Sequence, residues 1–410
     1  MQFPSAEFPD HMKTQSLLLR LFVGLTMFLA GAALLHAQSV EVSPSEISAI
    51  QGGDRAAVKE VLRRNGVDLN DPQAVRQAVG SLVESASAGV DAAGAAQALE
   101  AISSTVVGGA VEAAAETGGD VGSAAEAASA GATESSVAVA LSVGADPGEA
   151  AEAASRGGTR GASDSAGSAD VNGDGTADSR DRDEVVSRTS RGSSEGAVEA
   201  SVRMGIDPSA MAERSAAGSS RAAVEGAVVT GGSVGDAVRA AARGSVQGAS
   251  RGATISGLDS ASRDQLIRSA STGSSESAIM SAAGLGADAL EASRASSSGA
   301  VSGAVEEAAA AGQDAQTAVS AAAAGAGAGA TRGSEAAGLS AEETAQATEQ
   351  GAVEGAEEGA AATGEDAASL ADAAAEGTFE GVMESEPESE PLPVEPPDVD
   401  DGPTDPPSPS

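Results

Sequence analysis

Apolar positions in this chain are small and recur on one side of a helical wheel. Counted from a Gly-x-Asp or Gly-x-Ser triplet, they fall at offsets six, seven and ten: Ala150, Ala151 and Ala154; Ala237, Val238 and Ala241; Leu370, Ala371 and Ala374. That spacing predicts helices with a shallow apolar stripe, and the scarcity of β-branched runs argues against strands. The triplets are themselves periodic. They begin at Gly66, Gly89, Gly118, Gly144, Gly205, Gly231, Gly257, Gly286, Gly312, Gly338 and Gly364, with successive steps of 23, 29, 26, 61, 26, 26, 29, 26, 26 and 26 residues. A repeat of about 26 residues therefore organises residues 66–383.

Each triplet reads as a helix boundary. The Gly supplies the left-handed residue that closes one helix, and the Asp or Ser two positions on caps the next. Pro147 and Pro208 follow such caps, at the first helical position where proline is tolerated. Thirteen residues into most units stands another Gly: Gly131, Gly157, Gly218, Gly244, Gly299, Gly325, Gly351 and Gly377, with Gly273 in a longer unit. A second turn is expected there, which makes each unit a hairpin of two helices of about thirteen residues. Gly pairs four apart, such as Gly244/Gly248 and Gly325/Gly329, suit close approach of helix backbones. So short a hairpin is marginal alone, and stacking is its natural remedy. The fold class expected is all-α, an α-solenoid-like array of short helical hairpins. Residues 38–65, with the charged segment Asp54–Asn65, are expected to cap its N-terminal end. The alternative on composition alone is an unfolded Ala/Gly/Ser polymer.

The two ends differ from the array. Lys13 and Arg20 precede an apolar run, Leu21–Leu35, and Leu35-His36-Ala37 fits a signal-peptidase site, so residues 1–37 read as an export signal. Fifteen apolar residues are short for a membrane span, so no stable membrane insertion is expected after cleavage. The destination is then periplasmic, cell-surface or extracellular. Residues 384–410 hold nine of the fifteen prolines and no positive charge, the composition of a disordered acidic tail.

Composition narrows the chemistry. Without the leader, the chain has no His, Cys, Trp or Tyr, and Phe379 is its one aromatic residue. Histidine general bases, thiolate nucleophiles, His/Cys zinc sites and base-stacking platforms are thereby excluded. A formal charge of −38 opposes binding to nucleic acid. Glycines in the run Gly325–Gly333 are accounted for by the repeat rather than by a phosphate loop. A noncatalytic protein is expected.

The step of 61 residues between Gly144 and Gly205 is the exception. Arg156-Gly157 and Arg191-Gly192 both fit the mid-unit landmark, which places an insertion at residues 158–191, in a turn. Inside it, DVNGDGTADSRD carries Asp170, Asn172, Asp174, Asp178 and Asp181 at positions 1, 3, 5, 9 and 12 of a twelve-residue loop, with Gly175 at position 6. Alternating oxygens converge on one hard cation when the chain turns sharply at that Gly, and the Thr176 carbonyl joins at position 7. On these residues alone the stretch is a calcium loop or a solvated acidic turn. The string resembles the calcium loop of dockerin modules. That resemblance implies calcium ligation by Asp170, Asn172, Asp174, Thr176, Asp178 and Asp181, a helix from about Ser179 to Ser190, and a cohesin-like partner. Dockerins carry two such loops, whereas this sequence has one. The function expected is an exported calcium-binding helical-repeat protein with a structural or protein-interaction role. The alternative is a dockerin-type module docking a spacer array to a cohesin-like scaffold.

Overall fold

A computed structural model describes residues 40–167, 170–171 and 176–385. The expected leader, and the expected tail beyond residue 385, lie outside the described residues. Fourteen helices and no strands are present among the described residues. They are α1 (Pro44–Gln51), α2 (Arg55–Arg64), α3 (Pro72–Ala86), α4 (Ala95–Thr117), α5 (Val121–Val143), α6 (Pro147–Ala166) and α7 (Ser179–Met204). The series continues with α8 (Pro208–Thr230), α9 (Val234–Ile255), α10 (Ser260–Gly284), α11 (Ala289–Ala310), α12 (Ala315–Ala337), α13 (Ala341–Thr363) and α14 (Ala367–Ser385).

The triplets behave as helix boundaries. All eleven triplet glycines have positive φ, between 64° and 86°, where a side chain is strained. Asp120, Asp146, Asp207, Asp259, Asp288 and Asp314, and Ser233 and Ser340, each accept a backbone N–H in the first turn of the following helix. Pro147 and Pro208 open α6 and α8. Asp54 and Asn65 bracket α2 as its two caps.

The all-helical repeat array stands as expected, but its unit is different. One 26-residue repeat is a single helix of about 23 residues and a three-residue connection, not a pair of thirteen-residue helices. The mid-unit glycines lie in the middle of helices. Their role is contact. A methyl group on Gly131, Gly157, Gly192, Gly218, Gly244, Gly273, Gly299, Gly325, Gly351 or Gly377 would overlap a backbone carbonyl of the helix two positions earlier. For Gly157 that carbonyl belongs to Glu100, and for Gly161, four residues on, to Ser104. The same paired contact joins Gly192 and Gly196 to Glu126 and Ala130, and Gly377 and Gly381 to Ser320 and Ala324. Because connections are short, successive helices run antiparallel and helices two apart run parallel. The main packing is between these parallel pairs, giving one layer of odd-numbered and one of even-numbered helices. The interior between them is Ala, Val, Ser and Gly, with a few larger residues such as Leu99, Leu266, Ile267 and Ile279.

The long step between Gly144 and Gly205 has the same explanation. It contains two complete helices, α6 and α7, and Gly157 and Gly192 each make the inter-helix contact. Residues 158–166 continue α6 and residues 179–191 belong to α7, so only Gly167–Asp178 connect them. A twelve-residue connection stands where the neighbouring repeats have three or four, and the surplus over two whole units is nine residues rather than 35. The helix expected from Ser179 begins there and runs on to Met204.

Two glycine substitutions separate packing from propensity. Gly192→Ala is expected to lower stability by about 1–3 kcal/mol through overpacking against Glu126, although Ala is the better helix former. Gly226→Ala, in the penultimate turn of α8 with its nearest neighbour 3.8 Å from the new methyl, should instead gain about 0.5–1 kcal/mol. Thermal unfolding of the two variants checks the sign difference.

Candidate metal centre

The acidic stretch leaves α6 at Gly167 and enters α7 through a reciprocal cap. Asp178 is the N-cap, and its carboxylate accepts the Arg180 N–H at 2.8 Å. Asp181, three residues on, accepts the Asp178 N–H at 2.8 Å. Its other oxygen accepts the Val171 N–H at 2.7 Å. Asp181 thus ties together positions 2, 9 and 12 of the loop and is fully buried. Val171 is half-buried against the apolar cluster that includes Ala162, Ala166 and Val185, which seats the start of the loop on the ends of α6 and α7. Asp170, Thr176 and Asp178 are exposed. Asn172 and Asp174 lie outside the described residues, so the geometry brings together only part of the six-residue set. No cluster of three acidic side chains arranged to hold a metal occurs among the described residues. The donor set is nonetheless all oxygen, which suits a hard cation such as calcium and not zinc or copper. Nearby, burial pushes the Asp183 carboxyl up to about 6, and Asp236 and Asp178 add to the rise while Arg182 opposes it.

A second polar region went unseen in the sequence. A cleft of 380 Å³ is lined by Arg76 of α3, Glu126 of α5, Arg188, Glu195 and Glu199 of α7, and Arg251 of α9. Arg76 reaches Glu134 at 2.9 Å, Glu199 at 3.0 Å and Glu195 at 3.2 Å, while Arg251 meets Glu126 at 3.0 Å. The ion pairs cross from α3 over α5 to α7, so the cleft is a charge lattice binding parallel helices rather than an open ligand pocket. The only sequence signal was a tendency for Arg to precede, and Glu to follow, the mid-helix Gly. Burial pushes the Glu195 carboxyl up to about 7; Arg76 opposes the rise and Glu199 reinforces it.

No protein-family model and no curated protein sequence matches the chain. Among solved structures, it is similar to a circular tandem repeat protein with novel repeat topology and enhanced subunit contact surfaces. Identity is 14%, over 83% of this chain and 87% of that one, and the TM-score is 0.24. A score that low carries no argument about shape, assembly or role.

Both regions give measurable expectations. Asp181→Ala strands two backbone N–H groups and should cost roughly 1–3 kcal/mol in calcium-free buffer, read by thermal unfolding. For Glu195, a folded-state pKa above the ordinary 4.5 means that the folded chain holds this proton more tightly than the unfolded one. Its contribution is present below about 4.5 and is lost as pH rises through about 7. The Tm of Glu195→Gln minus that of the parent should therefore increase between mildly acid and mildly alkaline pH; a constant difference would refute the assignment.

Proposed function

We propose that the chain is an exported, noncatalytic helical-repeat protein with a structural or protein-interaction role, and that its one long connection takes calcium. The observation that carries this reading is local. From α4 onward successive helices are joined by three or four residues except at Gly167–Asp178, and that departure places oxygen donors at positions 1, 3, 5, 7, 9 and 12. Asp170, Asn172, Asp174, Asp178 and Asp181 would supply carboxylate or amide oxygens, and Thr176 its backbone carbonyl. Calcium bound there would fix the connection between α6 and α7. The absence, beyond the leader, of His, Cys and all aromatics but Phe379 supports a role without catalysis. The likeness to a dockerin loop favours a second reading, in which the same loop docks the array to a cohesin-like scaffold partner.

The test is a calorimetric calcium titration of the chain beside the Asp170→Ala, Asp174→Ala double variant. One saturable site with a Kd of about 10⁻⁴ to 10⁻³ M or tighter is expected, and is lost in the variant. Calcium at a hundred times that Kd should add about 2.7 kcal/mol of stability. Equal heats from parent and variant would leave the stretch an acidic turn. Capture of a cohesin domain that EDTA abolishes would favour the docking reading.

A further inference from the structure

We propose that the outer face of α14 is a docking surface for a basic helix of a partner protein, seated where a further parallel helix of the array would lie. The proposal is independent of the calcium reading.

Register argues it first. On α10, Ser275 and Ile279 stand two and six residues after Gly273 and are fully buried, because Gly329 and Gly333 of α12 close over them. A methyl group on either of those glycines would come within 3.1 Å of the side chain beneath. On α11, Val305 holds the later slot, 2.7 Å from the methyl position of Gly359 on α13. These slots face the next parallel helix. On α14 the slots two and six residues after Gly377 carry Phe379 and Met383, which are 67% and 53% exposed. The one aromatic residue beyond the leader thus occupies a position that internal helices fill with Ser, Thr, Val or Gly and bury. The opposite end of the array is different. There α2 turns Glu60, Arg63 and Arg64 outward, the polar surface expected of a terminal cap.

Charge identifies the occupant. Internal helices place Arg five residues or one residue before the mid-helix Gly, as Arg239 and Arg243 on α9, Arg268 on α10 and Arg294 on α11, and these grip Glu on later helices. Arg243 meets Glu306 at 3.0 Å, and Arg294 meets Glu354 at 3.0 Å. On α14 the same two slots hold Asp372 and Glu376, both exposed. Ala341–Ser385 carries twelve carboxylates and no Lys or Arg. A helix with Glu at the usual positions is repelled there, and one with Lys or Arg is attracted. A second copy offers either the same acidic end or α2, whose Arg55, Lys59, Arg63 and Arg64 are already paired with Glu112, Glu116, Glu60 and Glu46. Residues 386–410 have no positive charge. The complement is therefore a basic amphipathic helix with two small residues four apart and cations three and seven residues after the first of them.

The test uses the full chain and a dye-labelled peptide of the Ala315–Ala337 sequence with Ala328→Lys, which retains Arg332, against a control with Ala328→Glu and Arg332→Glu. Fluorescence anisotropy should show saturable binding of the basic peptide, weakening from low to high salt, and none of the acidic one. Phe379→Ser with Met383→Ser, at exposed positions whose helicity circular dichroism verifies, should weaken binding by roughly tenfold or more, as loss of an apolar anchor does. Equal binding by that double variant, equal binding of the acidic peptide, or no binding of the basic peptide overturns the proposal. So do a dimer in sedimentation that the double variant disperses, which assigns the face to a second copy, and binding that appears only after removal of 386–410, which assigns it to the tail.

Discussion

The contact between the middle of one helix and the backbone of the parallel helix two positions earlier is the constraint from which the rest of this structure follows. From α5 to α14, each helix sets a Gly where a methyl would overlap a carbonyl of its neighbour. Backbones at that separation leave no room for large side chains, so the interior is built of Ala, Val, Ser and Gly. Each mid-helix Gly costs about 1 kcal/mol of propensity against Ala. The cost is offset by dispersion between closely packed backbones and by the stacking of each internal helix on two parallel neighbours.

A thin interior shifts the burden of specificity to its rim. Serines meet across helices, as Ser155 with Ser215 at 2.8 Å and Ser293 with Thr348 at 2.8 Å, because hydroxyls are small enough to fit and gain by pairing when buried. Arginines lie over the surface and reach Glu two or four helices away. Small side chains on the intervening helix make such long reaches possible. The chain has many more carboxylates than cations, so pairing is complete only where Arg is supplied, and the supply ends at Arg332. The acid excess consequently gathers at the C-terminal end of the array, while the paired interior tolerates a strongly negative net charge.

The boundaries of this fold were legible, and its unit was not. Gly-x-Asp is readable because two independent requirements coincide: a left-handed residue that Gly alone adopts easily, and a side-chain cap two positions later. Gly118-Gly119-Asp120 and Gly312-Gln313-Asp314 therefore announced their turns. The mid-unit glycines met neither requirement. Two residues after them stand Thr133, Thr159, Ser220, Val246, Val301 or Gly327, never Asp, and these positions are buried within their helices instead of capping one. A Gly selected for closeness and a Gly selected for φ are the same letter, and only the residues around them tell which is meant. The same ambiguity conceals a whole helix inside the long step, since Gly157 and Gly192 fit the two sides of one turn in sequence although each is the centre of its own helix. In the loop, the ligand spacing was visible, but the burial of Asp181 as a capping group was not, although Asp178-x-x-Asp181 has the spacing of a capping box.

That capping role bears on why this connection tolerates length. The parallel contacts that hold α6 to α4 and α7 to α5 are made at mid-helix by Gly157 and Gly192, ten and fourteen residues from the loop, and do not depend on how the two helix ends are joined. What does depend on it is the start of α7, whose first turn needs a cap that a three-residue connection supplies through its Asp. In the long connection Asp178 supplies that same cap, and Asp181 adds to it by drawing in the Val171 N–H. The fold therefore closes at this point through backbone hydrogen bonds made by the protein alone.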